Sequence, residues 1–224
     1  MLVGCDRTGT TVGHFKLNDV FKDSQVRELV LAASRGEVDK IKQLAKSGVN
    51  INAVGQYGAT PLFWITGQPK INYAGLEELL KLGADPNYIP PMNTNLGGWS
   101  LTYALGFSDD PKALNLALRY GGNPNIVDTE DNASGNHPTV LIAAAQNGRI
   151  ENIKLLLKYG AKIDGTDAIG MTPLLWAIFS NQFQTAYFLL EQGSNYKTEA
   201  FYPGSTMDPR YRDKVIKTNI SDLI

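Results

Sequence analysis

Short apolar stretches recur along the chain, and each is closed by a glycine. They run from Ile41 to Leu44, Leu76 to Leu82, Leu114 to Leu118, Ile153 to Leu157 and Ala186 to Leu190. Behind them stand Gly48-Val-Asn-Ile-Asn52, Gly83-Ala-Asp-Pro-Asn87, Gly121-Gly-Asn-Pro-Asn125, Gly160-Ala-Lys-Ile-Asp164 and Gly193-Ser-Asn-Tyr-Lys197. Successive glycines are 35, 38, 39 and 33 residues apart, a period that marks a repeat architecture. Ahead of two stretches stand Thr60-Pro61-Leu62 and Thr172-Pro173-Leu174. Threonine suits a helix N-cap and proline the first helical position. Ala32-Ala33 and Ala143-Ala144-Ala145 occupy the corresponding place in two other units, where small side chains let helices approach. The pattern predicts about five helix-turn-helix units. Glycine is the left-handed residue ending each second helix, and the Asx residues after it suit a turn into a projecting finger.

These residues make the chain resemble the ankyrin repeat family over about residues 24 to 200. The family pattern is Gly-x-Thr-Pro-Leu-His-x-Ala-Ala, a loop, a second helix ending Leu-Leu, then Gly-Ala-Asp-x-Asn. The resemblance implies an all-α repeat solenoid with projecting β-turn fingers and a C-terminal capping helix. One helix pair cannot bury its apolar face alone, so stacked pairs make the core. The family histidine is missing: Phe63, Ile142 and Leu175 stand at or near its place. Apolar packing is expected to replace the hydrogen-bond network between repeats. Trp99-Ser100-Leu101-Thr102-Tyr103-Ala104 lacks the Thr-Pro pair, and residues around Gly67 to Tyr73 lengthen the second unit.

Composition narrows the function. With 21 basic and 22 acidic residues, the chain lacks the positive excess of a phosphate-neutralising protein. No run of 18 apolar residues occurs, so no membrane-spanning helix is expected. One cysteine excludes a disulfide or a multi-cysteine zinc site within these 224 residues. His14 and His137 are the two histidines. No Gly-x-Ser-x-Gly elbow, phosphate loop or dinucleotide fingerprint occurs. The reading is a non-enzymatic binding module with no cofactor and no metal.

The cysteine stands in Met1-Leu2-Val3-Gly4-Cys5-Asp6. This resembles the end of a bacterial lipoprotein signal, in which the cysteine is lipidated, although the apolar segment that precedes such a motif is missing. Either that segment lies upstream or the match is chance. Asp6 resembles an inner-membrane retention signal. Residues 1–23 are expected to be a tether, 24–200 the repeat domain and 201–224 a capping segment. Asp208-Pro209 opens a predicted helix in that last segment.

The resemblance also marks a contact face. Finger residues Gln56, Tyr57, Trp99, His137, Ile169 and Met171 match positions that ankyrin proteins use for contact. Two long fingers, with Tyr88 and Met92 in one and Asp128, Glu130 and Asp131 in the other, add to it. Trp64, Tyr103 and Trp176 fall near one position of the inner helix. Repeat packing and partner anchoring both remain open for them. A lipoprotein made of ankyrin repeats resembles the immunity proteins of type VI secretion systems, which neutralise phospholipase toxins in the periplasm. The alternatives are a soluble cytoplasmic scaffold or host-directed effector, and a periplasmic stress-related ankyrin protein. A monomer is expected.

Overall fold

A computed structural model describes residues 10–12, 14–91, 99–127 and 137–196. Two short strands come first, β1 (Thr11–Val12) and β2 (Phe15–Lys16), paired antiparallel with Thr11 opposite Lys16. A short helix α1 (Leu17–Val20) follows. Five helix pairs then appear among the described residues. They are α2 (Ser24–Arg35) with α3 (Val38–Lys46), α4 (Pro61–Thr66) with α5 (Tyr73–Lys81) and α6 (Leu101–Gly106) with α7 (Pro111–Arg119). The last two are α8 (Val140–Gln146) with α9 (Ile150–Lys158) and α10 (Pro173–Phe179) with α11 (Phe183–Glu191).

The helix ends follow the predicted chemistry. The Thr60 hydroxyl accepts from Phe63 N at 3.2 Å and the Thr172 hydroxyl from Leu175 N at 3.3 Å. Thr139 caps α8 in the same way without a proline behind it, accepting from Ile142 N at 3.2 Å. Gly48, Gly83, Gly121, Gly160 and Gly193 all have φ between 88° and 97°. A Cβ there would meet nothing within 4 Å. Backbone conformation, and not crowding, therefore requires the glycine that sets the repeat period.

The chain divides into two compact units. The first comprises residues 1–102 and 112–123. In it α2 packs against α3, α4 and α5, and Leu29, Ile41, Leu62, Leu76 and Leu114 are almost fully buried. Gly75 lets α5 press against α2, since a Cβ there would fall 1.9 Å from the Ala33 carbonyl oxygen. The second unit comprises residues 103–111 and 124–224. In it α8 packs against α9 and α10, and α10 against α11. Leu141, Ile142, Ile153, Leu156 and Leu174 form its centre.

One expectation is corrected here. The described part of the tether folds onto the first unit. Leu17, Val20 and Phe21 are 2–3% exposed, and Leu17 N donates to the Thr10 carbonyl at 2.9 Å. Three large apolar side chains within five residues gain more from burial than a free tether would. The expected cap over 201–224 lies outside the described residues.

Candidate protein-binding surface

The finger before α4 starts at Gly55, whose amide donates to the Ala59 carbonyl at 2.8 Å. A single 3-10 turn (Gln56–Gly58) forms its tip. Gln56 is exposed and Tyr57 is 39% exposed. Tyr57 adopts φ 62°, a conformation that side chains other than glycine, Asn or Asp enter at a cost. The Phe15 ring lies 5.0 Å from its ring. At Gly58 a Cβ would meet Pro91 at 2.9 Å and Pro90 at 3.0 Å, so this finger lies against the next one. Gln56 and Tyr57 thus share one side of the first unit with the chain leading out of Tyr88. Tyr88 and Trp99, which flank the second finger, are both half-buried.

In the second unit His137 is half-buried with φ 43°. Ile169 packs partly buried on a cluster of Ile142, Met171, Leu175 and Trp176. Met171 is 7% exposed and belongs to that core. Its expected contact role is therefore corrected: its amide donates to Asp167 Oδ1 at 2.9 Å, and this turns the residue inward. Cys5, Met92, Asp128, Glu130 and Asp131 lie outside the described residues.

The inner-helix aromatics resolve toward packing. Trp64, Tyr103 and Trp176 are 3–7% exposed. Trp64 meets the Phe21 ring edge-on at 6.0 Å and Tyr103 meets Phe107 at 5.8 Å. Trp176 packs on Phe179 at 5.4 Å, and its indole N–H donates to Asp167 Oδ2 at 2.7 Å. Trp64 and Trp176 are the fourth residues of their helices, whereas Tyr103 is the third of α6.

A hydrogen-bond ladder also joins the repeats, which apolar packing alone was expected to do. Asn52 donates to the Gly83 carbonyl at 2.9 Å and accepts from Asp85 N at 2.9 Å. Asn87 does the same with Gly121 O at 2.8 Å and Asn123 N at 2.7 Å. Asn125 does so with Gly160 O at 3.1 Å and Lys162 N at 2.9 Å. Asp164 accepts from Ser194 Oγ at 2.8 Å and Asn195 N at 2.9 Å. The signal is the final Asx of each Gly-x-x-x-Asx segment, a residue type that also suits the turn. Buried Asn152 was also missed. Its amide donates to the Leu105, Gly106 and Ser108 carbonyls at 3.2, 2.9 and 2.9 Å.

Other polar groups are likewise committed to the frame. Glu77 accepts from the Tyr120 hydroxyl at 2.9 Å and pairs with Lys81 at 3.3 Å and Arg119 at 3.7 Å. The Tyr120 hydrogen bond, then Lys81, hold its carboxyl below the usual carboxylate value. A cavity of about 350 Å³ opens beside Ser108, Asp109 and Arg149. Arg149 there already pairs with Asp109 and donates to the Phe107 carbonyl at 3.1 Å. Among the described residues, no three of His, Cys, Asp and Glu gather as a metal site. The exposed and half-exposed finger side chains Gln56, Tyr57, Tyr88, Trp99 and His137 are thus held on a bonded frame.

Residues 101–200 match the family described as ankyrin repeats, in three copies. The chain is 28% identical over 177 residues to the palmitoyltransferase AKR1 of the yeast Lachancea kluyveri, covering 77% of this chain and 22% of that protein. It is 29% identical over 179 residues to the putative ankyrin repeat protein YahD of Escherichia coli, covering 75% and 80% respectively. A putative ankyrin repeat protein of Rickettsia bellii shares 31% identity over 141 residues, covering 61% of this chain and 51% of its own length. The chain therefore spans about a fifth of the yeast relative and most of YahD. With the all-α helix pairs and the glycine register, this match makes the fold an ankyrin-repeat fold.

Proposed function

We propose that this ankyrin-repeat chain is a protein-binding module that serves as a lipid-anchored periplasmic immunity protein, neutralising a secreted phospholipase. The observation that carries the binding role is a division of labour between the frame and the first finger. Inner-helix aromatics and ladder asparagines are spent on the frame, while Gln56 and Tyr57 are left exposed on a finger. Leu2-Val3-Gly4-Cys5 ahead of such an array supports the anchored, periplasmic reading. If Cys5 carries the lipid, residues 6–9 alone separate it from Thr10, whose carbonyl accepts from Leu17 N. The five steps from Cys5 to Thr10 reach at most ~18 Å when extended. The repeats then sit against the bilayer, on the surface a phospholipase must reach. An acyl anchor contributes about 0.8 kcal/mol per buried CH₂.

The test uses the full chain as bait in an envelope extract, with captured proteins identified by mass spectrometry. The expected prey is a stoichiometric secreted lipase whose hydrolysis of phospholipid vesicles stops when the chain is added. Trp99→Ala, and separately Asp128, Glu130 and Asp131 each to Ser, should weaken that inhibition without loss of helical content. Recovery of cytoplasmic proteins alone would overturn the immunity reading. Metabolic labelling with a radioactive fatty acid, lost in Cys5→Ser, is the expected outcome for the anchor. A chain that takes up no label would sink that part.

A further inference from the structure

Charge is unevenly shared between the two units. The first holds 12 basic and 9 acidic residues, the second 9 and 13. Within the first unit the excess gathers on the second helices of its pairs. Lys42, Lys46, Lys81, Lys112 and Arg119 are exposed on α3, α5 and α7. Against them stand exposed Asp39 and half-buried Glu77, while Glu78 is buried and Lys40 pairs with Glu28 at 2.6 Å. The three helices form one surface. α3 packs against α5. Lys112 Nζ of α7 stands 4.0 Å from the Tyr73 ring centroid of α5, and Glu77 holds Lys81 and Arg119 side by side. Ile41, Leu76 and Leu114 turn the opposite sides of these helices into the core.

Helix stability does not account for this charge. Lys46, Lys81 and Arg119 close their helices, where the macrodipole favours a cation. Lys42 stands in mid-helix, and Lys112 is the second residue of α7, at the end where the dipole opposes a cation. Lys42 and Lys46 make no ion pair among the described residues. The corresponding helices of the second unit carry no excess: Lys154 and Lys158 stand against Glu151 and Glu191.

We propose that the outer face of α3, α5 and α7 docks on an anionic lipid bilayer. Its cations are spread over neighbouring helices whose axes lie about 8–10 Å apart, which makes a broad sheet of charge. Headgroup phosphates offer the complementary sheet, and each lysine or arginine brought near it adds to the attraction. Tyr73 and Tyr120, both half-buried, and Leu82, 37% exposed, supply the phenol and apolar groups that settle at headgroup level. Lysine is depleted from protein interfaces, so a protein fits this face less well. Single-stranded nucleic acid stacks on open aromatic faces. Here Lys112 already stands over the Tyr73 ring, and Arg119 over the Tyr120 ring at 5.5 Å from its centroid. The contact needs no acyl chain on Cys5.

Vesicle cosedimentation tests the proposal on the full chain carrying Cys5→Ser, so that the acyl anchor proposed above makes no contribution. The chain should pellet with vesicles of phosphatidylglycerol and phosphatidylcholine in equal parts and stay in solution with phosphatidylcholine alone. Rising salt should release it. Lys42→Glu with Lys46→Glu should weaken binding at least about tenfold at unchanged helical content, while Lys42→Arg with Lys46→Arg keeps it. Lys16→Glu with Lys22→Glu reverses as much charge on the segment packed at the first finger and should change binding less than about threefold. Equal pelleting with the two kinds of vesicle, or pelleting with neither, would overturn the docking face. So would equal losses from the two charge-reversed pairs. Polyuridine that binds more tightly than the vesicles, and loses binding in Lys42→Glu with Lys46→Glu, would give the face to nucleic acid instead.

Discussion

Trp64 and Trp176 stand at the same place in their repeats, each four residues after its capping threonine. Their fingers share a backbone closure too, Gly55 N to Ala59 O at 2.8 Å and Asp167 N to Met171 O at 3.1 Å. Yet the two rings are enclosed by different means. At the head of the first finger stands Gly55, where a Cβ would meet the Val20 carbonyl oxygen at 2.7 Å and the Phe21 ring at 2.9 Å. That space admits chain from outside the repeats, and Phe21 packs on Trp64. At the head of the second stands Asp167, which accepts from Ile169 N, Met171 N and the Trp176 indole. The repeat register decides where a tryptophan goes. The finger's first residue decides whether the chain's own finger or a visiting segment closes over it.

Exchanging that residue should have the largest effect. Gly55→Asp is expected to expel residues 10–21 and expose Leu17, Val20 and Phe21. The loss should be at least about 4.5 kcal/mol, given roughly 1.5–3 kcal/mol for each of the three side chains fully buried. Urea unfolding would measure it, and proteolysis near residue 16 would show the freed segment. Asp167→Ala in the other finger strands a buried indole N–H and two amides. It should cost roughly 3 kcal/mol, at about 1–3 kcal/mol for each unsatisfied group with partial relief by water. The change should appear in near-ultraviolet dichroism from Trp176.

The ladder offers a smaller contrast between the two units. Asn87 both donates and accepts, whereas Asp164 only accepts. Asn87→Asp should therefore cost about 2 kcal/mol, by turning a carboxylate toward the Gly121 carbonyl. Asp164→Asn should stay within about 0.5 kcal/mol, the usual range for a surface change. Thermal unfolding of both variants compares them directly. The smallest effect concerns acid. Glu77 in the folded chain titrates below its ordinary value of 4.5, through the Tyr120 hydroxyl first and Lys81 next. Its contribution is complete above that value and is lost as pH falls through the folded one. Urea midpoints followed from pH 6 to pH 3 should fall less steeply in Glu77→Gln than in wild type.

The frame was legible because its signals are local. Threonine caps, left-handed glycines and apolar helical stretches each act within one turn, so the sequence displays them directly. Thr139 escaped notice because Val140 replaces the proline that marks the other caps. The packed N-terminal segment was not legible. Leu17, Val20 and Phe21 lie among Lys16, Asn18, Asp19 and Lys22, and only contact with a finger more than thirty residues away reveals their burial. The ladder was half visible: Asn52, Asn87 and Asn125 were seen as turn residues, while their partners lie one repeat ahead. Met171 misled because a finger position suggests exposure, and the Asp167 hydrogen bonds turn it inward.

Under the proposed function, finger side chains bind the partner, while the inner-helix tryptophans pack the frame. The direct test is the affinity of the captured partner, by titration calorimetry, for two sets of variants. Gln56→Ala with Tyr57→Ala, and Trp99→Ala, should each weaken binding at least tenfold with little change in melting temperature. Trp64→Phe and Trp176→Phe should lower the melting temperature and leave affinity within about twofold, which is under 0.5 kcal/mol. Tryptophan variants that lose affinity at unchanged stability, beside finger variants that bind as wild type, would contradict it.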